Sequence, residues 1–143
     1  MQDAITKEII VKAPKERVYE AITDPQQITQ WFPDAVDGTL EVGKQAIFTF
    51  EGYGNSSVLV VDAQPYDYFA YRWIPGGANI VDDLTTVQTT LVEFRLSTEG
   101  TGTKVSLTES GFASLPSDIA ESSLKDNSGG WEHMMNRLGE MLN

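Results

Sequence analysis

The chain has 143 residues, with 10 lysines and arginines against 21 aspartates and glutamates, a formal net charge of −11, and 41% hydrophobic and 22% charged residues. That length suits one domain spanning residues 1–143, and the composition is globular, which excludes a disordered or collagen-like chain. The acidic excess argues against nucleic acid and anionic membranes as partners, because phosphate contact needs an electropositive face; a small apolar ligand stays open.

There is no cysteine, so thiolate nucleophiles, iron–sulfur clusters and Cys-rich zinc sites are excluded. No run approaches the roughly 18 consecutive apolar residues of a membrane span. The opening Met1-Gln2-Asp3-Ala4 has no basic and apolar regions of a signal peptide, so a cytoplasmic location is expected.

Ile5 to Lys12 reads as a strand with one covered face. Pro14 suits the first turn of a helix carrying Val18, Ala21 and Ile22. Asp24 is a candidate N-cap for a second short helix, with Pro25 at its first position and Gln27 able to reach back. Ile28, Trp31 and Phe32 lie on one side of it, and Pro33 stops it. From residue 44 the period becomes two. Ala46, Phe48 and Phe50 alternate with polar neighbours, Gly52-Tyr53-Gly54-Asn55 turns, and Val58 to Ala63 forms the next strand. Phe69, Tyr71 and Trp73 alternate after the turn at Gln64–Asp67. A longer loop through Gly76-Gly77 leads to Thr90, Val92, Phe94 and Leu96, and Gly100-Thr101-Gly102 closes a hairpin into Val105 and Leu107. Short turns make these strands antiparallel. Trp131, Met134 or Met135, Leu138, Met141 and Leu142 then form one apolar stripe of a C-terminal helix. Ser117 is its candidate N-cap, and Gly129-Gly130 a point where about 2 kcal/mol of lost propensity leaves open whether the helix kinks or breaks.

This order implies an α+β fold, a curved antiparallel sheet of about six to seven strands gripping a long C-terminal helix, with two short helices after strand one. One helix is roughly 10 Å wide and six strands span roughly 25–30 Å, so the sheet should curl and leave a hollow where the helix does not reach. Phe48, Phe50, Phe69, Tyr71, Trp73, Phe94 and Leu107 fall on the alternate positions facing that space, opposite Trp131 and Met135.

The chain resembles the START-like (SRPBCC, birch-pollen-allergen-like) superfamily with its helix-grip fold, and within it the bacterial branch named after the activator of the heat-shock-protein-90 ATPase. The resemblance is carried in order by Ala13-Pro14-Lys15-Glu16-Arg17-Val18-Tyr19, Thr23-Asp24-Pro25, Gln30-Trp31-Phe32-Pro33, Val61-Asp62-Ala63-Gln64-Pro65, Tyr71-Arg72-Trp73, Gly102-Thr103-Lys104-Val105, Ser110-Gly111-Phe112 and Gly130-Trp131. It implies an interior ligand cavity, or else a protein-interaction module with a chaperone partner or a homodimer. A third implication is a polyketide cyclase- or dehydratase-like enzyme. The expected function is non-enzymatic binding of a small, mostly apolar molecule, with no cofactor or metal.

Trp31, Phe32, Trp73 and Trp131 either line that cavity or fill a core, and Trp31 and Phe32 are the candidates for its mouth. Glu109 continues the Val105, Leu107 face; as a lone glutamate it is expected at an exposed strand end, the alternative being a cavity-facing ligand contact or general base. His133, the only histidine, lies off the apolar stripe and should be solvated or at a groove edge. Arg72 and Arg95 read as outer-face residues, with Arg72 the better ligand anchor if the register slips. The glycine pairs Gly52/Gly54 and Gly100/Gly102 have no phosphate-loop pattern, and no Gly-x-Ser-x-Gly elbow occurs.

Overall fold

A computed structural model describes residues 2–76 and 79–143. Seven strands form one sheet in the order β1-β7-β6-β5-β4-β3-β2, every neighbouring pair antiparallel. They are β1 (Ala4–Val11), β2 (Ala35–Asp37), β3 (Gln45–Phe50), β4 (Gly54–Gln64), β5 (Tyr68–Trp73), β6 (Thr90–Glu99) and β7 (Gly102–Ser110). The helices are α1 (Lys15–Thr23), α2 (Pro25–Ile28) and α3 (Ser117–Leu142). This is the helix-grip α+β architecture. Gly77, half of the glycine loop expected after Trp73, lies outside the described residues. None of the described helices is long and apolar enough to cross a membrane.

Local chemistry sets the joints. The β6–β7 hairpin pairs Glu99 with Gly102 around the two-residue turn Gly100-Thr101. Gly102 is required by close approach, because a Cβ there would lie 2.1 Å from the Val11 carbonyl oxygen of β1. The register of β4 on β5 shifts between Val60 and Asp62, and such a bulge bends and twists its strand. Asp24 caps α2 by accepting from the Gln26 N–H at 2.9 Å. Gln27 does not reach back; it accepts from Arg17 and donates to Glu20 of α1 instead.

One expectation for α3 is corrected and one open point is settled. Pro116, not Ser117, holds the cap position and makes no side-chain cap. The helix also runs unbroken through Gly129-Gly130, because Ala120 and Ser123 before the glycines and Trp131, Met135 and Leu138 after them are all buried and tertiary packing outweighs propensity. A Cβ at either glycine would meet no atom within 4 Å. Gly129→Ala is therefore expected to stabilise the protein by about 0.5–1 kcal/mol, read as a higher urea midpoint at unchanged slope; a lower midpoint would mean α3 needs that glycine.

The count of elements covering the sheet is also corrected. α3 is not the only cover of the inner sheet face. Val18, Ala21 and Ile22 of α1, Ile28 of α2, and Trp31 and Phe32 in the following turn are all buried against it in one core. Phe48, Phe69, Tyr71 and Phe94 project from the sheet to meet them. Two short helices and their turn supply the width that one rod lacks.

Candidate functional site

The inner-face alternation of β5, β6 and β7 brings Trp73, Thr90 and Glu109 to one end of the sheet. Trp73 pairs directly with Thr90, and Glu109 pairs with Val92, one inward position along β6. From α3, Asn127 and Trp131 are one turn apart and reach the same point. Glu109 is fully buried there, which corrects the expectation of an exposed strand end. Its Oε2 accepts from Trp73 Nε1 at 2.9 Å and Thr90 Oγ1 at 2.5 Å. Its Oε1 accepts from Trp131 Nε1 at 2.8 Å and Asn127 Nδ2 at 2.9 Å. Four donors on two oxygens fill the acceptor capacity of a carboxylate. With Thr90 donating as well as the two indoles and the amide, all four partners aim a proton at the carboxylate, the arrangement that suits its ionised form. Burying a charge is costly without such partners, and here every partner is neutral.

Beside the two indoles lies a slot of about 90 Å³, walled by Phe32, Trp73, Trp131, Met134, Asn127 and Gly130. Its three aromatic rings sit 4.9–6.1 Å apart, centroid to centroid. Trp73, Asn127 and Gly130 are shared with a wider groove of about 360 Å³, completed by Phe50, Tyr53, Ser56, Ile74, Gly76 and Asp126. Larger depressions of about 680 and 720 Å³ lie elsewhere, one along Asp62, Tyr68, Arg95 and Lys104, the other beside the first turns of α3. Neither is walled by the aromatic cluster.

Of the residues singled out from sequence, Phe32, Trp73 and Trp131 therefore wall the slot, Phe50 the groove, and Glu109 backs both indoles. Phe48, Phe69, Tyr71, Phe94, Leu107 and Met135 lie in the packed core and line neither space. Trp31 does not sit at a mouth. It is fully buried, stacks on Phe32 with centroids 5.4 Å apart, and donates its indole N–H to the Ala21 carbonyl at 2.8 Å. His133, Arg72 and Arg95 are exposed; Arg95 pairs with Glu93 at 2.9 Å. The described residues contain no group of three or more His, Cys, Asp or Glu side chains placed to hold a metal.

Sequence reasoning missed Asn127, Thr90, Met134 and Asp126. Asn127 had a readable signal: an amide is unfavourable inside a helix, and this one lies four residues before Trp131 on the same face.

Burial pushes the Tyr71 hydroxyl well above the usual tyrosine range, and the nearby Glu109 charge adds to this. Tyr68 is pushed up to about 12, first by burial, then by its hydrogen bond to Glu93 and that carboxylate's charge. In an unfolded chain tyrosine loses its proton near pH 10. Above that pH the unfolded state binds fewer protons than the folded one, so stability, fully retained below about pH 10, falls as pH rises through the folded values. We expect phenolate absorbance from Tyr71 to appear only together with unfolding, and Tyr71→Phe to flatten the alkaline loss of stability; an unchanged slope would count against it.

Residues 12–143 match the family described as Activator of Hsp90 ATPase homolog 1-like protein. The chain belongs to this family. No curated protein matches it. Among solved structures, MLL2253 from Mesorhizobium loti is similar over 97% of this chain and 96% of its own, at 22% identity and TM-score 0.80. The Aha1 dimer from Colwellia psychrerythraea matches over 99% of this chain and 96% of its own, at 21% identity and TM-score 0.77. DynU16, encoded in the dynemicin biosynthetic locus, matches 99% of this chain at 21% identity and TM-score 0.79, and this chain spans 48% of its length. At these identities the likeness is one of fold, in keeping with the family.

Proposed function

We propose that this family member binds a small, mostly apolar molecule in the slot and groove beside Glu109 and performs no chemistry on it. The observation that carries the reading is the trio Phe32, Trp73 and Trp131, whose rings wall a space that shares Trp73, Asn127 and Gly130 with a groove of about 360 Å³. That groove lies in the roughly 300–1,000 Å³ range of small-molecule sites. Each 100 Å² of apolar ligand surface removed from water contributes about 2.5 kcal/mol before the cost of association. A cyclase-like reading needs an acid or base held against a bound molecule away from water. Glu109 has both oxygens filled by donors, His133 is exposed and lines neither space, and Asp126, which lines the groove, is exposed to solvent.

Two of the three tryptophans wall the slot, so Trp31→Phe leaves an emission that reports on it alone. Titrating this variant with a panel of neutral and charged aromatic and aliphatic compounds is expected to give saturable quenching and a raised melting temperature. Flat titrations across the whole panel would overturn the reading.

A further inference from the structure

Resting on that reading, we infer that the occupant carries a positive charge, and that the slot receives the ammonium end of a small organic cation whose apolar body lies in the groove. The charge of Glu109 is fully buried, and among the described residues no lysine, arginine or histidine is a hydrogen-bond or ion-pair partner to it. A negative charge held only by neutral donors leaves the surrounding space favourable to a cation, and little water screens it.

The two indoles transmit this preference. Trp73 and Trp131 each donate N–H to the carboxylate, which polarises the rings towards greater electron density, as hydrogen bonds to a charge do. These rings and Phe32 wall the slot. Indole faces are the strongest side-chain partners for ammonium groups, and a desolvated cage of aromatic rings is how methylated ammonium ions are recognised. At about 90 Å³ the slot has the volume of roughly three waters, suited to a compact head rather than a fused ring system. The groove beyond it presents the exposed Asp126 and Tyr53 and no basic side chain, so an approaching cation meets a second carboxylate and no opposing charge.

The test uses a matched pair that differs in charge and hardly in shape: benzyltrimethylammonium and its all-carbon counterpart, neopentylbenzene, titrated into the full chain by tryptophan fluorescence and by amide chemical shifts. The cation should bind about tenfold or more tighter than the hydrocarbon, with shifts centred on Trp73 and Trp131. Asp126→Asn, at an exposed position whose side chain has no hydrogen-bond or ion-pair partner among the described residues, should weaken the cation several-fold and the hydrocarbon much less. Glu109→Gln, where it folds, should abolish the preference. A hydrocarbon that binds as well as the cation overturns the charge assignment and leaves the binding reading standing. A cation that does not bind overturns it too, and the binding reading falls with it only if the wider panel is also silent.

Discussion

Replacing Glu109 by leucine should cost about 2–5 kcal/mol of folding stability, because it orphans buried donors that cannot reach water. Apolar replacement of buried charges is often neutral or stabilising when the whole polar group of partners is replaced together. Here the partners would stay. Trp73 Nε1 and Trp131 Nε1 would be left unpaired in the core, while Thr90 can rotate its hydroxyl and the half-buried Asn127 can reach outward. Glutamine is nearly isosteric yet should still cost about 1–3 kcal/mol. One indole points at each carboxylate oxygen, so either orientation of the amide sets its NH₂ against an indole N–H. Combining Glu109→Leu with Trp131→Phe should cost less than the sum of the two, since the second change removes a donor the first would strand. Urea midpoints at constant slope measure all three. A Glu109→Gln protein with the wild-type midpoint would show that the four donors do not depend on the charge.

The pattern that places Glu109 was readable; its consequence was not. Val105, Leu107 and Glu109 alternate onto the inner face, so periodicity alone pointed the side chain inward. The expectation of exposure came from the general rarity of buried glutamate. What overrides that rarity is a set of donors 18 to 36 residues away in sequence, and no local pattern announces which distant side chains will converge. β2 was missed for the opposite reason: three residues at a sheet edge are too few to show a period. The strands from β3 to β7 were legible because each alternates over six or more residues between glycine or proline turns. The width argument about the sheet was sound in its geometry and wrong in its count of covering elements. α1 and α2 are short, yet Val18, Ile22, Ile28, Trp31 and Phe32 are all bulky and all buried. Between Phe32 and α3 they leave the slot.

Trp31 marks the boundary between what holds this fold and what the slot does. Ala21 lies in the last turn of α1, and the residue four positions on, which would donate to its carbonyl, is Pro25, which has no N–H. The Trp31 indole supplies the missing donor at 2.8 Å, and its ring packs on Phe32 and, edge to face, on Phe94 of β6. One side chain thus closes the end of α1, fixes the turn after α2 and ties both to the sheet. Trp31→Ala should therefore cost about 3–5 kcal/mol, the range for a large aromatic lost from a core. Trp31→Phe keeps most of the packing but strands the carbonyl, and should cost about 1–2 kcal/mol. Because Trp31 walls neither the slot nor the groove, Trp31→Phe should bind slot ligands with wild-type affinity, whereas Trp131→Phe, which also strips a donor from Glu109, should not. A Trp31→Phe protein as stable as wild type would mean that the Ala21 carbonyl has another partner, and the account of why α1 ends where it does would have to be replaced.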